Sequence, residues 1–203
     1  MSLKNYCAGY RNRTLLQGEK LIGPGSANAG EPLRGRAVSS TWHIPLFLRN
    51  SYEAFSMNTI GGEKVQLEQV AQKGPVVLVT LRGFPGYQCP LCTAQVGQLM
   101  SKSKEFEDAK ANVILVYPGP AEGLKDHASE FVEGKAMPKD FDLLLDPDFS
   151  FTKQYGLRWD AAGETAYPST FVLDSKRKVL FAKVSHSHGD RANVKDVLAA
   201  LPK

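Results

Sequence analysis

Two of the three cysteines in this 203-residue chain stand three apart, in Cys89-Pro90-Leu91-Cys92. A thiol does redox chemistry as the thiolate, so the place of the pair in secondary structure decides what it can do. Upstream, Val76-Val77-Leu78-Val79-Thr80-Leu81 is an uncharged, mostly β-branched run, the pattern of a strand buried on both faces. Arg82-Gly83-Phe84-Pro85-Gly86-Tyr87 then forces a turn. From Cys92 onward, Val96, Leu99, Ser103 and Phe106 recur four and three residues apart, one face of a helix expected to run to about Lys110. The thiols therefore open a helix directly after a buried strand. The unpaired N–H groups and positive dipole end of that helix stabilise a thiolate at Cys89, which makes it the candidate nucleophile. Cys92, one turn on, is the candidate resolving thiol, within reach of an adduct on Cys89. Pro90 starts the helix without an N–H to lose. The same spacing serves as half of a zinc site, or as two inert buried thiols, but no second Cys or His pair at ligand spacing completes four ligands.

The rest of the chain sets the frame for that pair. With 203 residues, 42% of them hydrophobic, the expectation is one well-packed domain. The net charge of +4 is uneven: residues 1–50 hold seven Lys/Arg against two Glu, and residues 51–203 are close to neutral. We therefore read residues 1–50 as a basic, flexible leader rich in Gly and Pro, and residues 51–203 as the domain. A near-neutral domain without a basic stripe argues against nucleic acid as a partner. No apolar run is long enough to span a bilayer, and no secretory signal core is present, so the expected setting is soluble and cytoplasmic. A single C-x-x-C fits a reducing compartment, where such a pair is catalytic. Cys7 in the leader is either an unselected exposed thiol or a resolving partner for Cys89 across a homodimer.

In chain order, residues 42–48 are an aromatic and aliphatic patch, residues 53–58 alternate as a short strand, and residues 67–71 suggest a helical turn. After the cysteine helix, Val113-Ile114-Leu115-Val116-Tyr117 is a second buried strand, and Leu124, Ala128, Phe131 and Val132 form a helical stripe. This alternation implies a parallel pair joined by a crossover. A third strand over residues 141–145 precedes a short helix over 149–155, which Asp148 is placed to cap. Thr170-Phe171-Val172-Leu173 and Val179-Leu180-Phe181-Ala182-Lys183-Val184 read as a hairpin, followed by a helix with Val194, Val197, Leu198 and Leu201 on one face.

This order resembles the thioredoxin fold: α/β, a central mixed sheet flanked by helices. Within it, residues 55–201 resemble the alkyl hydroperoxide reductase and thiol-specific antioxidant group of peroxiredoxin-like proteins. The resemblance rests on Gly74-Pro75-Val76-Val77-Leu78-Val79, Arg82-Gly83, Cys89-Pro90-Leu91-Cys92, Asp146-Pro147-Asp148 and Tyr167-Pro168-Ser169-Thr170-Phe171-Val172-Leu173-Asp174. It implies that Pro168 is a cis proline facing the cysteines, with Tyr167 and Thr170 forming one wall of the substrate site. The sequence departs from the peroxiredoxin pattern at three places. The proline seven before the reactive cysteine is Arg82, the Thr or Ser three before it is Gly86, and the activating arginine is replaced by Pro168. Arg82, at the end of the central strand, becomes the candidate for the missing positive charge, with Arg158 and Arg191 as substitutes. Gly86 stands where the peroxide would be aligned.

The resemblance implies a thiol-dependent peroxidase that needs no cofactor, takes a small hydroperoxide and is restored by a thioredoxin-like or low-molecular-weight thiol. The alternatives are a thiol-disulfide oxidoreductase acting on protein disulfides and a non-enzymatic redox switch that uses the leader as a binding arm. His186 and His188 share a strand face but lack a third ligand, and His188 is a further proton-donor candidate. Glu164 and Trp159 border the site from the preceding loop, or are solvated there.

Overall fold

The structure, a computed structural model, describes residues 54–202. The leader, Cys7, the patch at residues 42–48 and the boundary at residue 50 lie outside the described residues. The uncharged run after Pro75 forms strand β3 (Val76–Thr80), and every residue of it is buried. A strand can be apolar on both sides only if both faces of its sheet are covered, and they are. Val77, Val79 and Leu81 pack with Cys89, Cys92, Val96, Leu99 and Phe106 on one face, while Val76 and Leu78 pack with Leu67, Phe151 and Tyr155 on the other.

Seven strands form one sheet in the order β2-β1-β5-β4-β3-β6-β7. These are β1 (Ser56–Thr59), β2 (Lys64–Gln66), β3, β4 (Asn112–Gly119), β5 (Phe141–Pro147), β6 (Ser169–Leu173) and β7 (Val179–Val184). β3, β4 and β5 run parallel, whereas β6 is antiparallel to β3 and β7 to β6, which makes the sheet mixed. The helices are α1 (Leu67–Lys73), α2 (Pro90–Met100), α3 (Ser103–Asp108), α4 (Leu124–Val132), α5 (Ser150–Gln154) and α6 (Val194–Ala199). This is the thioredoxin-like α/β architecture expected from the sequence. Central β3 delivers its C-terminal end, Arg82 and the following loop to the start of α2.

Four local expectations are corrected. The cysteine helix stops at Met100 and resumes as α3 after two residues, where Lys102 leaves helical ψ and the Ser101 hydroxyl donates back to the Gln98 carbonyl. Phe106 still reaches the core, against Phe141 at 6.0 Å. The first strand begins at Ser56, and pairs with a β2 too short to register as a pattern. The helix after β5 is held by Asp146, whose buried carboxylate accepts the N–H groups of Phe151 (2.7 Å) and Thr152 (3.0 Å), while Asp148 accepts from Ala121 N–H (3.0 Å). Finally, there is no cis peptide bond among the described residues, so Pro168 is trans. It leads into β6, and its carbonyl accepts the Ser185 N–H at 2.9 Å, continuing the β6–β7 ladder. A proline at the start of a strand gives up no ladder hydrogen bond in this conformation.

Gly83 sets how the chain leaves β3. Its φ is +68°, and a Cβ there would lie 1.9 Å from the Pro118 carbonyl oxygen of neighbouring β4. Gly83→Ala therefore combines a left-handed penalty with a backbone clash, and should lower the unfolding free energy by about 2–4 kcal/mol in urea titration. Gly97→Ala, at an open helical position, should not destabilise.

Candidate active site

Cys89 occupies the N-cap position of α2 and Cys92 lies in its first turn. Both are reduced, and their exposures are 2% and 1%. The loop before them is fixed from the β4–α4 side: Gln88 donates to the His127 carbonyl (2.7 Å) and accepts from the Tyr117 hydroxyl (2.9 Å), and Phe84 stacks on His127 at 3.6 Å. Burial alone would protonate both sulfurs, yet the Cys89 thiol is lowered to about 5. The largest cause is donation from the Cys92 S–H, which outweighs the desolvation opposing it. The Cys92 and Leu91 N–H groups at the helix start and the charge of Arg191 add to it. Cys92 moves the other way, well above the ordinary thiol value, because it is the donor in that contact and is itself desolvated. One thiolate and one thiol therefore share one helical turn.

The positive charge at the sulfurs comes from a residue other than the leading candidate. Arg191, in the loop between β7 and α6, places Nη2 3.8 Å from Cys89 Sγ and 3.5 Å from Cys92 Sγ. Its Nη1 donates to Gln95 Oε1 at 2.6 Å and its Nε to the His188 carbonyl at 2.9 Å. The Arg82 guanidinium instead donates to Glu164 (2.8 Å), the Tyr87 hydroxyl (2.8 Å) and the Gly163 carbonyl (2.9 Å). What Arg82 gives the pair is its backbone N–H, 3.2 Å from Cys92 Sγ. The turn after β3 explains the exchange: it leaves the Arg82 main chain at the helix start and directs the long side chain to the loop that holds Glu164.

The remaining candidates fall around this centre. Thr170, on β6, accepts a hydrogen bond from Gln95 at 3.4 Å, so it joins the thiol face through that side chain. Tyr167 stacks on Trp159 at 4.9 Å and meets His186 at 5.3 Å. Gly86 is exposed, at φ +94°, with open space where a Cβ would be, and has no hydroxyl to offer. Arg158 binds the carbonyls of Trp159, Glu164 and Thr165, bracing that loop. His188 pairs with Glu164 at 2.9 Å. Among the described residues no three His, Cys, Asp or Glu side chains gather as a metal site. Gln95 was missed from the sequence. Its signal was a polar residue three positions past Cys92, on the face otherwise reserved for the core.

A sequence model of the AhpC/TSA family matches residues 49–182. The chain belongs to the AhpC/TSA family. It is a peroxiredoxin-like member of a redox oxidoreductase family, and no curated protein sequence matches it. Among solved structures, it is similar to the peroxidoxin BcpB of Mycobacterium tuberculosis, at 25% identity and a TM-score of 0.59 over 74% of this chain and 93% of that one. A yeast mitochondrial 1-Cys peroxiredoxin, whose thiol is resolved via glutathione and thioredoxin systems, shares 20% identity at a TM-score of 0.57 over 73% and 71%. A secreted disulfide oxidoreductase of M. tuberculosis shares 16% at 0.53 over 72% and 93%. The last two likenesses are of fold. Among the described residues no helix is long and apolar enough to cross a membrane.

Alkylation by iodoacetamide should show the thiolate directly. The rate is expected to be flat above a midpoint near pH 5 and to fall about ten-fold per unit below it, as Cys89 gains its proton. In Arg191→Gln the midpoint should rise by about one unit.

Proposed function

We propose that this AhpC/TSA protein is a dithiol peroxidase that reduces small hydroperoxides. The observation that supports this best is the Arg191 guanidinium spanning both sulfurs at 3.8 and 3.5 Å, beside a cysteine held as the thiolate. Attack of Cys89 Sγ on the terminal oxygen of R–O–O–H forms an S–O bond and breaks the O–O bond. The products are Cys89 sulfenic acid and RO⁻, which takes a proton from solvent to become the alcohol, or water when R is hydrogen. Negative charge grows on the departing oxygen as the O–O bond breaks beside the sulfurs, and an N–H donor already aimed at that space stabilises it. Cys92 then loses its proton and attacks the sulfenic sulfur, giving the Cys89–Cys92 disulfide and water. Two electrons and two protons from an external thiol, thioredoxin-like or of low molecular weight, restore the pair. Burial of Cys89 to 2% exposure favours a small oxidant over a folded disulfide substrate.

Thiol-disulfide exchange is the second reading, and a particular contact favours it. The Cys92 S–H donates to the Cys89 sulfur, so attack on a partner disulfide would leave Cys92 poised to release the mixed disulfide. The absence of a hydroxyl at Gly86 fits this reading too.

Stopped-flow oxidation of the full chain separates the two. The peroxidase reading expects Cys89 to react with hydrogen peroxide or an alkyl hydroperoxide at least about a thousand times faster than a free thiol. That rate should vanish in Cys89→Ser, and a sulfenic acid should be trapped in Cys92→Ser. Free-thiol rates with peroxide, combined with rapid reaction with a protein disulfide, would replace it with the exchange reading.

A further inference from the structure

Arg191 lies in a loop, and a guanidinium on a loop is useful to a thiolate only if the loop is held. Two contacts hold it: Asp190 pairs with Lys183 of β7 at 2.7 Å, and His188 pairs with Glu164 at 2.9 Å. The second leads back to the thiols by another route. Glu164 uses its two oxygens separately, Oε2 accepting from Arg82 Nε at 2.8 Å and Oε1 meeting His188 Nε2 at 2.9 Å. The Arg82 main chain donates to Cys92 Sγ at 3.2 Å, and the His188 carbonyl accepts from Arg191 Nε at 2.9 Å. A single carboxylate, with its side chain 13% exposed, thus ties together the two segments that touch the sulfurs.

We infer that Glu164 is a positioning residue for the Cys89 thiolate, acting through His188 on Arg191 and through Arg82 on Cys92. It touches neither sulfur. Its two acceptor oxygens match two donors from segments that would otherwise move independently, and an amide in its place has one acceptor and presents N–H groups to the second donor. The clamp fixes where the Arg191 guanidinium sits and hence how strongly it stabilises the thiolate. This rests on Cys89 being the reactive thiolate of the proposed function, and it does not depend on which oxidant that thiolate meets.

The test is the pH-rate profile for iodoacetamide alkylation of Cys89 in Glu164→Gln, Arg191→Gln and the double variant, each first shown by circular dichroism to be folded. Glu164→Gln should raise the midpoint by about one unit, a roughly ten-fold loss of rate at pH below it. The double variant should shift the midpoint by less than the sum of the two single shifts, because the part of the Glu164 effect that runs through Arg191 is lost once Arg191 is gone. His188→Leu, at a half-exposed position, should shift the midpoint the same way, while His188→Gln, which keeps a donor, should restore most of it. An unshifted midpoint in folded Glu164→Gln, or additive effects in the double variant, overturns the inference. If Glu164→Gln does not fold, an unshifted His188→Leu does the same. A wild-type midpoint at the free-thiol value overturns both this and the thiolate reading. Slow peroxide reaction with a shifted midpoint overturns the peroxidase alone.

Discussion

A sulfur carrying negative charge inside a protein needs donors on each side that water has left, since burial by itself returns the proton. Here the donors are the Cys92 S–H, the Leu91 and Cys92 N–H groups of the first helical turn, and the Arg191 guanidinium. Three of the four come from α2 itself. Pro90 follows Cys89 immediately and starts the helix, which leaves the Leu91 and Cys92 N–H groups unclaimed by any intrahelical carbonyl. The fourth arrives from a loop about a hundred residues further along the chain, and that contact depends on the sheet.

The sheet brings these pieces together by pairing β3 with both neighbours. Thr80 stands opposite Val116 of β4 and Ser169 of β6, so the C-terminal end of β3 is registered on two sides. β6 in turn aligns β7, whose end feeds the loop of His188 and Arg191. The segment between α5 and β6, which carries Glu164, is braced internally by Arg158 on three of its own carbonyls and joined to β3's end by the Thr165 hydroxyl donating to the Arg82 carbonyl. Covering both faces of β3 fixes the strand end to which these contacts attach.

What was legible in the sequence was periodic or local. The uncharged runs gave β3, β4 and β6 because strands buried on both faces have few other compositions. The spacing from Cys92 to Leu99 gave α2. The break at Ser101 was hidden because the apolar spacing continues to Phe106 across it. Asp146 and Asp148 flank one proline, and which of them supplies the cap depends on φ values of +52° and +60° at Asp148 and Phe149, which no pattern announces. The thiol pair was equally plain, and its charge partner was not. Arg82 is adjacent in sequence to the turn, and proximity along the chain favoured it. Arg191 could be ranked above Arg158 only once the β6–β7 register placed its loop over α2.

The composition of the site in ions has a consequence for its oxidised form. In the reduced protein two guanidiniums, Arg82 and Arg191, stand against two anions, the Glu164 carboxylate and the Cys89 thiolate. A disulfide removes one of those anions and leaves the cations unchanged. The oxidised centre then holds an excess positive charge in a volume from which water is largely excluded, a condition that returning electrons relieve. In the proposed cycle Arg191 would thus stabilise the dithiol form relative to the disulfide as well as the thiolate relative to the thiol, and would bias the pair toward being an oxidant that is readily reset.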